Sequence, residues 1–163
     1  MHTGLGLETI PGGGGARLRD SVVVTVEFRR HESWVANWVF TQPQSFQDDL
    51  LAHEQGHYNI AALFGRDFFL ALMRLKANSY SGASGVQTDL NRLQQDIVAK
   101  AQPAQDRYDD DTHNGYDAAQ QARWNGFINA AFTRSASPPQ QAPDGTPIKV
   151  TLLSVLAQSG INL

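Results

Sequence analysis

One segment constrains this chain more than any other. From Ser45 to about Ala77 apolar residues recur at helical spacing, and Leu50, His53, Glu54, His57, Ala61, Phe64 and Phe68 fall on one stripe. The stripe predicts a long helix with one face against a core. Ser45 with Asp48 three residues on resembles a capping box, Asp49 suits the positive helix start, and Pro43 marks a boundary just upstream. The apolar row is interrupted by His53-Glu54-Gln55-Gly56-His57, the pattern HExxH. Residues four apart project from one helix face, so two imidazoles placed this way can share one Zn²⁺. The intervening Glu54 can then reach a water on that ion. Gly56 costs the helix about 1 kcal/mol relative to alanine, which a close approach by neighbouring backbone would explain.

Composition narrows the chemistry. The chain has no cysteine, so any metal must sit on His, Asp or Glu. Its formal net charge of -3, without a basic run, gives no electrostatic case for nucleic acid or an anionic membrane. The longest strongly apolar run, Phe68 to Met73, is too short to span a bilayer. Met1-His2-Thr3-Gly4 lacks the basic and apolar regions of a secretory signal, so export is not expected from this chain. A length of 163 residues suits one domain with a hydrophobic core.

Around the long helix the pattern predicts further elements. Pro11 with Gly12 to Gly15 reads as a flexible connector ending an N-terminal segment of residues 1–16. Ser21 to Phe28 is β-branched, and Ser33 to Phe40 alternates Trp34, Ala36, Trp38 and Phe40 with smaller residues, which predicts a hairpin turning at Arg29 to Glu32. A second helix is expected over Val86, Leu90, Leu93, Ile97 and Ala101, ended or kinked by Pro103. Asp106 to Asp117 reads as a polar acidic stretch. A third helix, Ala118 to Phe132, would bury Trp124, Ile128 and Ala131. Residues 135–147 read as a linker. Residues 148–163 hold a last apolar segment, Ile148 to Leu156, strand or helix, expected to pack on a domain of residues 17–134.

A catalytic zinc site commonly has three protein ligands and a water. The extended pattern HExxHxxGxxH is absent, since Leu63 and Ile60 stand where His and Gly belong, and Glu54 is the last glutamate in the chain. The third ligand must therefore be His113 or an aspartate among Asp106, Asp109, Asp110, Asp111 and Asp117. All of them lie in one short segment.

That segment, Tyr108-Asp109-Asp110-Asp111-Thr112-His113-Asn114-Gly115 with Gln120 and Trp124 beyond it, resembles a bacterial family of predicted secreted zinc-dependent proteases, the domain-of-unknown-function 922 type. The family carries HExxH and, some fifty residues later, a Tyr-Asp-x-x-Thr-x-His-Gly element followed by a helix with Gln and Trp. The resemblance covers roughly Val22 to Phe132. It implies a zincin-like metallopeptidase in which the histidine of the second element completes the zinc site. It also suggests a secreted or periplasmic setting. The family places that histidine directly before the glycine; here Asn114 holds that place and His113 comes one residue early.

The expected protein is thus an α+β, zincin-like zinc metalloendopeptidase, with a small antiparallel sheet packed on the HExxH helix and two further helices. His53, His57 and His113 would hold Zn²⁺. Glu54 would act as general base on the zinc-bound water and return the proton to the leaving amine, and Tyr108 could donate to the developing oxyanion. A peptide or protein would be the substrate, bound along an edge strand at Ser33 to Phe40. The alternative is a zincin-fold binding module without catalysis, or a purely structural zinc domain.

Overall fold

The long helix forms where the stripe places it. In the computed structural model, which describes residues 2–4, 7–9, 15–18, 22–27, 31–76, 78–137, 139–141, 145 and 147–163, helix α1 spans Gln44–Lys76. It opens one residue before Ser45: the Pro43 carbonyl accepts from the N–H groups of Phe46 and Gln47 at 3.0 and 3.2 Å. Asp48 instead accepts from the Gln44 side chain at 2.8 Å, so no capping box forms. Arg74 and Lys76 in the last turn suit the negative helix end.

Helix α2 spans Ala83–Thr112, so of the two outcomes expected at Pro103, an end or a kink, the helix does not end there. Pro103 cannot donate to the Ala99 carbonyl one turn back, but both residues are exposed, so water can satisfy that oxygen. The stretch after it, read as an acidic loop, is the last part of α2. Helix α3 (Ala118–Thr133) is capped by the Asp117 side chain, which accepts from Ala119 and Gln120 N–H at 3.0 Å each. It buries Trp124, Ile128 and Ala131, the expected face. Helix α4 (Leu152–Gln158) resolves the last apolar segment, with the Thr151 hydroxyl accepting from Ser154 N–H.

The expected sheet does not form. Among the described residues the strands are three residues long, β1 (His2–Gly4) antiparallel to β4 (Val23–Thr25) and β2 (Leu7–Thr9) antiparallel to β3 (Ala16–Leu18), with a few isolated bridges besides. The protein is mostly helical, which overturns the α+β, zincin-like architecture. Val23 to Thr25 pairs with β1, and no strand is formed at Ser33 to Phe40. That segment runs into a 3₁₀ helix, Asn37–Thr41, closed by Val39 N–H on the Ala36 carbonyl and the Thr41 hydroxyl on the Trp38 carbonyl. Only Val39 of it is buried. An edge strand for substrate is therefore absent there. The connector residues Pro11 to Gly14 and the turn residues Arg29 and Arg30 lie outside the described residues.

Two apolar clusters organise the bundle. One joins Ile60, Leu63 and Phe64 of α1 to Tyr108 of α2, Trp124 and Ile128 of α3, and Leu152 and Leu156 of α4. The other sets Ala16 and Leu18 against Phe68 and Leu72 of α1 and Val86 and Leu90 of α2. Strand contact thus falls on the C-terminal half of α1, leaving the half that carries HExxH to the helices. No helix among the described residues is long and apolar enough to cross a membrane.

A polar clasp holds the C-terminal segment. The Arg66 guanidinium donates to the carbonyls of Ala131 (2.7 Å) and Val150 (2.9 Å) and pairs with Asp67, which also accepts from Leu152 N–H. Burial raises the Asp67 carboxyl above its usual 3.8, against the pull of Arg66. The folded state therefore binds this proton more tightly than the unfolded chain. The group's contribution to stability is full below pH 3.8 and falls as pH rises through the folded value. Arg66→Met is expected to cost about 3–5 kcal/mol at pH 7, because it leaves the buried Asp67 carboxyl without its charge partner. The loss should be smaller at pH 4; urea denaturation at the two pH values reads the difference.

Candidate metal centre

HExxH sits mid-way along the inner half of α1, and the two imidazoles meet α2 there. His53 is buried, and the His57 side chain is 24% exposed. Their Nε2 atoms lie 3.2 Å apart, and both face Asp109 Oδ1, at 3.1 Å from His53 and 2.8 Å from His57. These three side chains form the group able to hold a metal ion among the described residues. A tetrahedral ion with donors at about 2.0–2.1 Å spaces them about 3.3 Å apart, close to this triangle.

The far side of each ring fixes its proton. Gln105 Nε2 donates to the His57 carbonyl (3.1 Å), so its Oε1, 2.6 Å from His57 Nδ1, is the acceptor there. Tyr108 hydroxyl donates to the His53 carbonyl (3.1 Å) and must accept from Gln121 Nε2 (2.6 Å). Gln121 Oε1 therefore accepts from His53 Nδ1–H at 3.1 Å. With Nδ1 donating outward, each imidazole in its neutral form turns an Nε2 lone pair inward, toward the other and a carboxylate oxygen. Three electron-rich atoms about 3 Å apart repel unless a cation lies among them. Such outer hydrogen bonds are those that orient metal-bound histidines.

Packing makes the approach possible. Tyr108 is fully buried and stacks on His53 with centroids 4.7 Å apart. A Cβ at Gly56 would lie 2.1 Å from the Tyr108 oxygen, so glycine there admits a side chain of α2, not a neighbouring backbone. Gly115 (φ 86°) lies flat on His53, where a Cβ would come within 2.9 Å of His53 Cβ. Burial pushes the Tyr108 hydroxyl above its usual 10.0; the Gln121 hydrogen bond works against this, and the charges of Asp109 and Glu54 add to it. The hydroxyl is committed to His53 and Gln121 and is closed to solvent, so it positions the histidine and does not face a substrate oxyanion.

The predicted residues are distributed as follows. His53, His57 and one member of the aspartate set, Asp109, come together. Glu54 is exposed beside them. His113 does not join the group: α2 stops at Thr112, and His113 is its left-handed cap (φ 49°), exposed, with its N–H on the Asp109 and Asp110 carbonyls. Had the helix continued, His113 would have followed Gln105 and Asp109 on one row. Asp111 instead accepts from Trp124 Nε1–H (3.0 Å) and pairs with Arg107. Asp117 caps α3, and Asp106 accepts from Gln102. Gln105 and Gln121 were not anticipated. Extending the buried row of α3 back one turn from Trp124 reaches Gln120 and Gln121 alike; no pattern singles out Gln105.

The model of the family described as "Bacterial protein of unknown function (DUF922)" matches residues 21–116, more than half the chain and both halves of the site. The chain belongs to this family. The match contains HExxH and Asp109, while Gln121 lies beyond it. Neither the curated proteins nor the solved structures include a match to this chain.

Proposed function

We propose that this DUF922 protein is a zinc-dependent peptidase, with His53, His57 and Asp109 holding the ion and Glu54 as general base. The observation that carries the reading is the convergence of two Nε2 lone pairs on one carboxylate oxygen, with both outer nitrogens tied to glutamines. Asp109 is 38% exposed and His57 24%, so the group opens to solvent on one side. Three ligands with an open position suit a catalytic site better than a closed structural one. Bound there, Zn²⁺ would supply Lewis-acid polarisation of water and of a peptide carbonyl. Glu54, next to His53 on the exposed side of α1, would take the attacking water's proton and return it to the leaving amine. Tyr108 and the two glutamines would hold the imidazoles in the ligating tautomer.

The test is Glu54→Gln, assayed for zinc content and for cleavage of a mixed peptide library. The variant is expected to retain zinc and lose about 100-fold or more of the peptidase rate. Failure of the unsubstituted protein to take up zinc, or an unchanged rate in the variant, would overturn the reading.

A further inference from the structure

We propose that the groove beside His53 binds a lysine or arginine side chain of the peptide substrate, with Asp49 as its charge partner; this rests on the peptidase reading above. The groove, about 360 Å³, lies between the first turns of α1 (Phe46, Asp49, Leu50), the turn at Gly115 and Tyr116, and α3 at Ala122. It borders His53 on the side away from Asp109: Gln121, which also lines it, holds His53 Nδ1, and Gly115 lies against His53. Phe46 is two helical turns before His53, about 10 Å along the axis, within reach of a side chain near the scissile bond.

Charge and ring placement select the occupant. From His31 to Gly65, and again from Asp110 to Ala122, the sequence has no lysine or arginine. Asp49 is exposed and forms no ion pair or side-chain hydrogen bond among the described residues. Arg123, the residue after Ala122, is turned over the Phe127 ring at 5.3 Å. The rings of Phe46 and Tyr116 line the groove with centroids 6.0 Å apart, and Trp38 stands 5.8 Å from Phe46. An apolar side chain seated here would strip water from the Asp49 carboxylate without compensation, and an acidic one would meet like charge. The N-terminal ends of α1 and α3 favour an anion. Asp117 caps α3, however, and Asp48 and Asp49 stand in the opening turns of α1. A long basic side chain meets all three demands: its stem packs on Phe46 and Leu50, while its head reaches a ring face and Asp49.

The probe is a labelled hexapeptide, all alanine except for arginine, norleucine or glutamate at its third position. Binding is read by fluorescence anisotropy on the Glu54→Gln protein with zinc added, so that bound peptide is not cut. The arginine peptide is expected to bind about tenfold tighter than the norleucine and glutamate peptides, a difference of about 1.4 kcal/mol. Asp49→Asn in the same background should remove most of that preference while changing norleucine binding by less than about twofold, as expected for a lost charge pair alone. Equal binding of the arginine and norleucine peptides, binding of none, or an undiminished arginine preference in Asp49→Asn would overturn the proposal. Asp49-dependent binding with no cleavage by the unsubstituted protein would overturn the peptidase reading and leave the groove assignment standing. Cleavage without Asp49 dependence would do the reverse.

Discussion

Gly56→Ala is expected to be among the most damaging single substitutions in this chain, although alanine is the better helix former. The added Cβ would lie 2.1 Å from the Tyr108 oxygen and 2.6 Å from Cζ, so ring and helix cannot both stay where they are. Tyr108 has nowhere to go: it is fully buried, stacked on His53 and set edge-on to Trp124 at 5.3 Å. Overpacking of this kind costs about 1–3 kcal/mol, and the propensity gain of about 1 kcal/mol offsets part of it. Displacing the hydroxyl also leaves the His53 carbonyl without its side-chain donor, adding about 1–3 kcal/mol. A net loss of about 2–4 kcal/mol lowers the melting temperature by roughly 4–16 °C for a chain of this size. Because the Tyr108 hydroxyl also orients Gln121, zinc affinity should fall with stability. Thermal melts with and without zinc check both, and an unchanged melting temperature would mean that α1 and α2 are not packed through this glycine.

Asp109→Ala is expected to weaken zinc binding about 100-fold or more, because it removes one of three donors and the one that carries charge. His113→Ala should change it by less than about threefold, since an exposed cap residue outside the triangle contributes no donor. The pair of variants separates His113 from Asp109, the one of the five candidate aspartates that faces both imidazoles. Competition titration against a chromogenic chelator gives both values. Loss on His113→Ala with retention on Asp109→Ala would require the α2 terminus to rearrange around the ion.

The long helix and the two histidines on one face were legible because periodicity is a local property: residues three and four apart share a face whatever surrounds them. The buried row Trp124, Ile128 and Ala131 was legible for the same reason. The sheet was misread because alternation at Ser33 to Phe40 describes a strand only if another strand pairs with it. Here β4 pairs with β1, and Asn37–Thr41 coils into a 3₁₀ helix instead. Pro103 was given too much weight, since a proline on a solvent-facing turn does not end a helix.

The resemblance favoured His113 as third donor, and reading the segment around it as a loop left room for that. With a loop after Pro103, His113 could swing toward α1; with helix to Thr112, the row that faces the histidines stops at Asp109, and a left-handed cap turns His113 away. Local sequence alone determined that two imidazoles four residues apart would stand together on a core-facing helix. Tertiary structure alone decided their company: Asp109 facing both Nε2 atoms, Gln105 and Gln121 on the outer nitrogens, and Tyr108 in the notch left by Gly56. Those partners come from helices about fifty and seventy residues away, and only the packing of α1 against α2 and α3 brings them within hydrogen-bond distance.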